Sequence, residues 1–205
     1  MRTEADEFIP TRRSLLSRLR DWDDQESWRD FFEIYGRFIY RTARKAGLKD
    51  EEAQDVVQET LIAVAKQMPG FKYNPAIGSF KGWLHQITRR RVVDHFRKRS
   101  PEVDLGQAGL ADTSLDQLPD RAGYGFDSLW EEEWQKHLLH AAMQHVKRRI
   151  HPKQFQMFDL FVTQQWPIKA VMDTLGVSAA QVYMAKMRVS RMIKSEIKTL
   201  KTQTE

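Results

Sequence analysis

GSFKGWLHQITRRRVVDHFRKR, Gly78 to Arg99, joins two halves of different character. Phe80, Trp83, Leu84 and Ile87 recur at three and four residues, the spacing of a helix that lays one stripe on a core. Arg89, Arg90, Arg91, Arg97, Lys98 and Arg99 follow, opposed only by Asp94. A helix that packs with its first half and presents cations with its second suits a polyanion better than a small substrate. Arg91 falls in line with Leu84 and Ile87, so either its side chain snorkels past the core or the helix bends there.

The rest of the chain supports a helical reading. Hydrophobic residues make up 41% of 205, with eleven Phe and six Trp, enough for real cores and too many for a chain disordered throughout. The formal charge is only +5, so its distribution matters more than its sum. Cysteine is absent, which excludes disulfides, a thiolate nucleophile and Cys-ligated zinc, and fits a reducing compartment. No apolar run approaches the roughly 20 residues that span a bilayer, and MRTEADEFIP has no apolar signal core. A soluble, cytoplasmic protein without a membrane partner is expected.

Residues 1–24 form an N-terminal extension, in which Leu15, Leu16 and Leu19 mark a short amphipathic piece. From Gln25 to Ala46, Trp28, Phe31, Phe32, Tyr35, Phe38, Ile39 and Ala43 predict a helix, with Gly47 at its C-terminal end. Asp50, Glu51 and Glu52 open the next helix, where the dipole favours negative charge. That helix should bury Ala53, Val56, Val57, Thr60, Leu61 and Val64, ending before Pro69-Gly70. Together with the basic helix these segments predict one bundle over 25–99. Residues 100–127 hold Pro, several Gly and scattered Asp, and are expected to be a flexible, mildly acidic linker.

Periodicity resumes at Ser128 with Leu129, Trp130, Trp134, Leu138, Ala141, His145 and Val146, and a helix after Pro152 should bury Phe155, Phe158, Phe161 and Val162. A second helical module over 128–200 is expected, with 201–205 as a tail. Within it, Trp166 to Lys194 has the layout of a helix-turn-helix. Pro167 starts a short helix burying Ile168, Val171 and Leu175, Gly176 supplies a left-handed turn, and Val177 plugs the angle. Ser178 caps the next helix with Gln181 as its capping-box partner. Val182, Ala185, Val189 and Ile193 then face inward, while Ala180, Tyr183, Met184, Met187, Arg188, Arg191 and Lys194 face outward. Arg and Lys can neutralise phosphates or reach guanine, and Ala or Met can touch a thymine methyl. The plainer alternative is an αα-hairpin whose Met residues join an interface. The fold class is all-α: two small bundles and a linker.

This order of elements resembles bacterial RNA polymerase sigma factors of the sigma-70 family, of the two-domain extracytoplasmic-function (ECF) type. DVVQETLIAVAKQMPGF, Asp55 to Phe71, is similar to the part of family region 2 that docks on core polymerase. The basic helix resembles the segment that melts the promoter and reads the minus-ten element, and the helix-turn-helix resembles the reader of the minus-thirty-five element. The resemblance implies core RNA polymerase and promoter DNA as partners, and allows an anti-sigma factor. Ala170, Met172, Ala185, Phe155 and Arg90 stand where the family usually has Glu, Ala, Arg, Arg and Asn.

Helical geometry adds that if Ala53, Val57, Thr60 and Val64 face the core, Asp55, Gln58, Glu59, Ile62 and Lys66 face away. An exposed Ile rimmed by polar groups suits an interface, and with the resemblance it points to Asp55, Gln58, Glu59 and Ile62 as polymerase contacts. Lys72, Tyr73 and Asn74 precede the basic helix, where aromatic and amide groups could hold an unstacked base. With Arg89, Arg90, Arg97, Lys98 and Arg99 they are the minus-ten candidates. The upstream candidates are Ser178, Ala180, Gln181, Tyr183, Met184, Met187, Arg188, Arg191 and Lys194. The six His show no metal-ligand pattern, no Gly-rich phosphate loop appears, and no nucleophile and base can be paired. No cofactor, metal or enzymatic activity is expected. The competing readings are a free-standing helix-turn-helix regulator that works without polymerase and an all-helical adaptor.

Overall fold

The computed structural model describes residues 13–70, 79–99 and 120–204, and every regular element among them is helical. They form two compact units, one running to Lys136 and one from His137 to Gln203. Among the described residues no helix is long and apolar enough to cross a membrane.

The first unit is built from α1 (Arg13–Arg18), α2 (Gln25–Lys45), α3 (Asp50–Gln67), α4 (Phe80–Arg99) and the opening part of α5 (Asp120–Arg149). Leu15, Leu16 and Leu19 are buried, so α1 belongs to the bundle rather than to a separate extension. Asp24 caps α2: its carboxylate accepts from the Ser27 N–H at 3.0 Å and from Arg18 Nε at 2.9 Å. The Arg18 guanidinium, then Ser27, hold the Asp24 carboxyl well below the usual carboxylate range. At the other end Gly47 has φ 102°, the Gly47 N–H reaches the Arg44 carbonyl and the Leu48 N–H reaches that of Ala43. This Schellman turn satisfies two orphan carbonyls and seats Leu48 in the core. The turn aims α3 back along α2, and the Glu52 carboxylate closes it by accepting from the Lys49 N–H at 2.6 Å.

α4 runs unbroken over Phe80–Arg99, with Phe80, Leu84, Ile87, Thr88, Val92, Val93 and His95 buried. The helix continues through Arg91. The Arg91 Nε is out of solvent contact while Nη1 reaches Asp94 Oδ2 at 3.4 Å, which is snorkelling. Trp83, expected in the core stripe, is half-buried and donates from Nε1 to Gln67 Oε1 at 3.3 Å. Leu61 is half-buried as well, at the edge of the α3 stripe.

The core between α2, α4 and α5 is aromatic. Tyr35 meets Phe80 at 5.4 Å and stacks on Trp134 at 6.3 Å, while Phe38 packs edge-on against Trp130 at 4.6 Å and Trp134 at 5.3 Å. Residues 120–127, read from the sequence as linker, are helical, and the first unit extends to Lys136, past the expected boundary at Arg99. The rest of that linker lies outside the described residues. Ion pairs reinforce the seam, Lys81 to Glu131 at 2.6 Å and Lys45 to Glu133 at 2.7 Å, and the His85 imidazole, which burial pushes toward its neutral form, hydrogen-bonds Asp127 at 2.9 Å.

The second unit holds the remainder of α5, α6 (Pro152–Phe158), a π turn over Asp159–Thr163, α7 (Ile168–Leu175) and α8 (Ala179–Thr204). Met157, Leu160, Val171, Val182 and Ala185 form its core, with Phe161, Ile168, Met172, Leu175 and Val177 packed around it. The aromatic spacing misplaced part of this stripe. Phe158 is buried, but Phe155, Phe161 and Val162 are half-buried, and Met157 and Leu160 go inside. The π turn accounts for the later part of the difference, since its wider winding rotates Leu160, Phe161 and Val162 away from a 3.6-residue period, whereas Phe155 and Met157 precede it. Glu196 of α8 ties to α5 through His145 Nδ1 at 2.7 Å and Arg149 Nη1 at 3.1 Å. α8 continues into the expected tail.

Candidate polymerase and nucleic-acid surfaces

α3 turns Ala53, Val56, Val57, Thr60, Ala63 and Val64 inward. Asp55, Gln58 and Lys66 are exposed on the other side, around an Ile62 that is 53% exposed. An apolar side chain ringed by polar ones is the anatomy of a small docking patch. Glu59 differs from its neighbours. It is half-buried, with Oε1 3.6 Å from His95 Nε2 and 3.9 Å from Lys98 Nζ. Its carboxylate is directed to α4, so it braces the two helices instead of standing free beside Asp55.

The cationic residues of α4 also divide. Arg90 and Arg97 are exposed and share one face, two turns apart, with no carboxylate partner among the described residues. Arg89 is half-buried, with Nε out of solvent contact. Lys98 leans toward Glu59, and Arg99 pairs with Glu52 at 3.0 Å while donating to the Gly47 carbonyl at 3.5 Å. Arg99 therefore pins the end of α4 to the start of α3. Lys72, Tyr73 and Asn74 lie outside the described residues.

The third surface is built by the α7–α8 turn. Gly176, at φ 59° and ψ 50°, takes the left-handed position that a Cβ would strain. Ser178 and Gln181 then form the expected capping box: the Ser178 N–H donates to Gln181 Oε1 at 2.8 Å, and the Gln181 N–H to Ser178 Oγ at 3.3 Å. This cap fixes where α8 starts and hence which residues face out. Ser178→Ala should cost the second unit about 1 kcal/mol, read from chemical denaturation, while substitution by Thr or Asp retains most of it.

Val182, Ala185, Val189 and Ile193 are buried, and Ala180, Tyr183, Met184, Met187, Arg188, Arg191 and Lys194 are all exposed on α8. Met184 and Met187 are 71% and 64% exposed, unusual for thioethers and suited to apolar contact with a partner. Tyr183 stands edge-on to Phe161 at 5.7 Å, and Lys186, absent from the sequence-based candidates, sits 5.4 Å over that ring. The ring clamp orients both groups beside the outward face.

Residues 31–102 match the family model Sigma-70 region 2. Among curated proteins, the chain is 31% identical over 90 residues to the ECF RNA polymerase sigma factor SigE of Mycolicibacterium smegmatis, covering 44% of this chain and 34% of that protein. It is 32% identical over 69 residues to ECF RNA polymerase sigma factor SigF of Caulobacter vibrioides, covering 34% of this chain and 37% of that one. It is 23% identical over 159 residues to ECF RNA polymerase sigma factor BldN of Streptomyces coelicolor, covering 77% and 53%. The chain thus spans between about a third and a half of the length of these relatives. The family match lies in the unit in which α3 and α4 share one core. By these matches residues 31–102 carry a Sigma-70 region 2, and the chain is similar, over part of their length, to proteins named ECF RNA polymerase sigma factors.

Proposed function

We propose that this chain is a promoter-specificity subunit of RNA polymerase. Asp55, Gln58 and Ile62 on α3 dock on the core enzyme, and Arg89, Arg90 and Arg97 on α4 hold the minus-ten strands. Lys72, Tyr73 and Asn74 capture an unstacked base, and α8 contacts the minus-thirty-five element. The upstream surface is Ala180, Tyr183, Met184, Met187, Arg188, Arg191 and Lys194, placed by the Ser178–Gln181 cap. In this reading Glu59, Lys98 and Arg99 serve as braces that hold the two helices in register. The protein works in the cytoplasm and without catalysis of its own, and an anti-sigma factor would act by covering these faces.

The observation that carries this reading is the shared core of α3 and α4. It puts the exposed Ile62 patch and the Arg90–Arg97 face on one rigid body, so polymerase capture and strand opening are coupled mechanically. Phosphate contacts supply affinity, and base contacts supply sequence preference. Asp55→Ala/Ile62→Asp should reduce recovery of core polymerase in a pull-down at least tenfold without altering helix content. Recovery equal to the parent's would refute the docking assignment and favour a regulator that acts without polymerase.

A further inference from the structure

Arg37, Arg41 and Arg44 stand on one stripe of α2, at i, i+4 and i+7, and all three are exposed. At about 1.5 Å per residue the row is about 10 Å long. Neither Arg37 nor Arg41 has a carboxylate partner among the described residues. Arg44 donates from Nη1 to the Leu48 carbonyl at 2.7 Å, and the adjacent Gly47 carbonyl receives Arg99 at 3.5 Å. The guanidinium groups of Arg44 and Arg99 therefore stand on consecutive carbonyls of one corner. On the other flank, Arg41 and Arg44 border a depression of about 420 Å³ with Tyr40, Lys45, Glu133 and Lys136. There Lys45 and Lys136 share Glu132 and Glu133, so the floor is neutralised and the rim stays cationic.

Nothing in the fold accounts for this row. Cations in a last turn complement the helix dipole, which explains Arg44, but Arg37 and Arg41 lie further back. Like charges at i, i+4 destabilise an isolated helix by a few tenths of a kcal/mol. The stripe also lacks the apolar anchor of a protein interface, since exposed Phe32 points well round the helix. A DNA strand carries one phosphate per about 3.4 Å of axis, so a 10 Å row of guanidinium groups faces about three of them.

We propose that Arg37, Arg41 and Arg44 form a phosphate track on α2, in the same unit as the DNA-binding face of α4. The inference rests on the DNA-binding reading above. The probe is a fluorescein-labelled single-stranded (dT)20, titrated with the full chain between 50 and 200 mM NaCl. Arg37→Gln/Arg41→Gln should lower the slope of log affinity against log salt by about 1.4 and weaken binding roughly ten- to thirtyfold at 100 mM, with the thermal midpoint unchanged. Arg37→Lys/Arg41→Lys should keep the parent slope. A parent-like slope in the Gln pair overturns the track, and so does an equal loss in the Lys pair, because charge is then not what acts. If the Gln pair binds (dT)20 normally but loses an acidic protein partner, the track is a protein surface and the proposal falls. Arg188→Gln/Arg191→Gln separates the two levels. A slope lowered there and unchanged in the α2 pair sinks the track alone, whereas a parent that does not bind (dT)20 sinks the DNA-binding reading with it.

Discussion

Trp134→Ala should destabilise the first unit by about 3 to 5 kcal/mol, the cost of deleting a fully buried aromatic side chain. Trp134 has 0% exposure, stacks parallel to Tyr35 and Trp130, meets Phe38 edge-on, and carries Lys81 Nζ 5.8 Å over its ring. Its partners on α2 belong to a core that α3 and α4 also build. The loss should therefore appear as faster amide hydrogen exchange throughout α2 and α4, not only in α5. Glu131 holds the same seam from an exposed position, and its removal should cost much less. Parent-like exchange in α2 and α4 after Trp134→Ala would show that residues 126–136 do not belong to this unit.

Arg188→Glu/Arg191→Glu should abolish upstream anchoring, with a loss of promoter affinity of roughly a hundredfold or more. Two favourable contacts become two repulsive ones on a face already exposed, so the fold has no reason to change. Each Arg contact with a base or phosphate is worth about 1 to 3 kcal/mol, and reversal adds to its loss. Electrophoretic mobility shift of the polymerase complex on promoter fragments would check this. Met184→Ala should act differently, relaxing sequence preference while leaving the salt dependence intact, because a thioether meets a base edge and not a phosphate.

The α7–α8 turn and the outward face of α8 were legible because every local signal agreed. Gly176 for the turn, Ser178 with Gln181 for the cap, and small or β-branched residues at helical spacing all point one way. The inner faces of α2 and α3 were legible for the same reason. Other features depend on partners distant in sequence. The stripe of Trp130 and Trp134 announces a buried helix face without naming what buries it, so the first unit was drawn too short. Glu59 looked free because His95 and Lys98 belong to another helix, and Arg99 looked available because Glu52 does. The π turn at Asp159 leaves no periodic trace, so Phe161 took the place of Leu160; Phe155 and Met157 precede that turn, and there the aromatic spacing alone misled. The Arg row of α2 was in plain view in RFIYRTAR, overshadowed by the apolar pattern interleaved with it.

Runoff transcription with purified core polymerase on a genomic fragment library tests the central claim most directly. Discrete transcripts are expected with the parent chain and none with core polymerase alone. Asp55→Ala/Ile62→Asp should lose them through failed docking, and Arg90→Glu/Arg97→Glu should lose them while still co-eluting with polymerase. A chain that binds the fragments in a salt-dependent way, yet neither co-elutes with core polymerase nor yields a transcript, would contradict it.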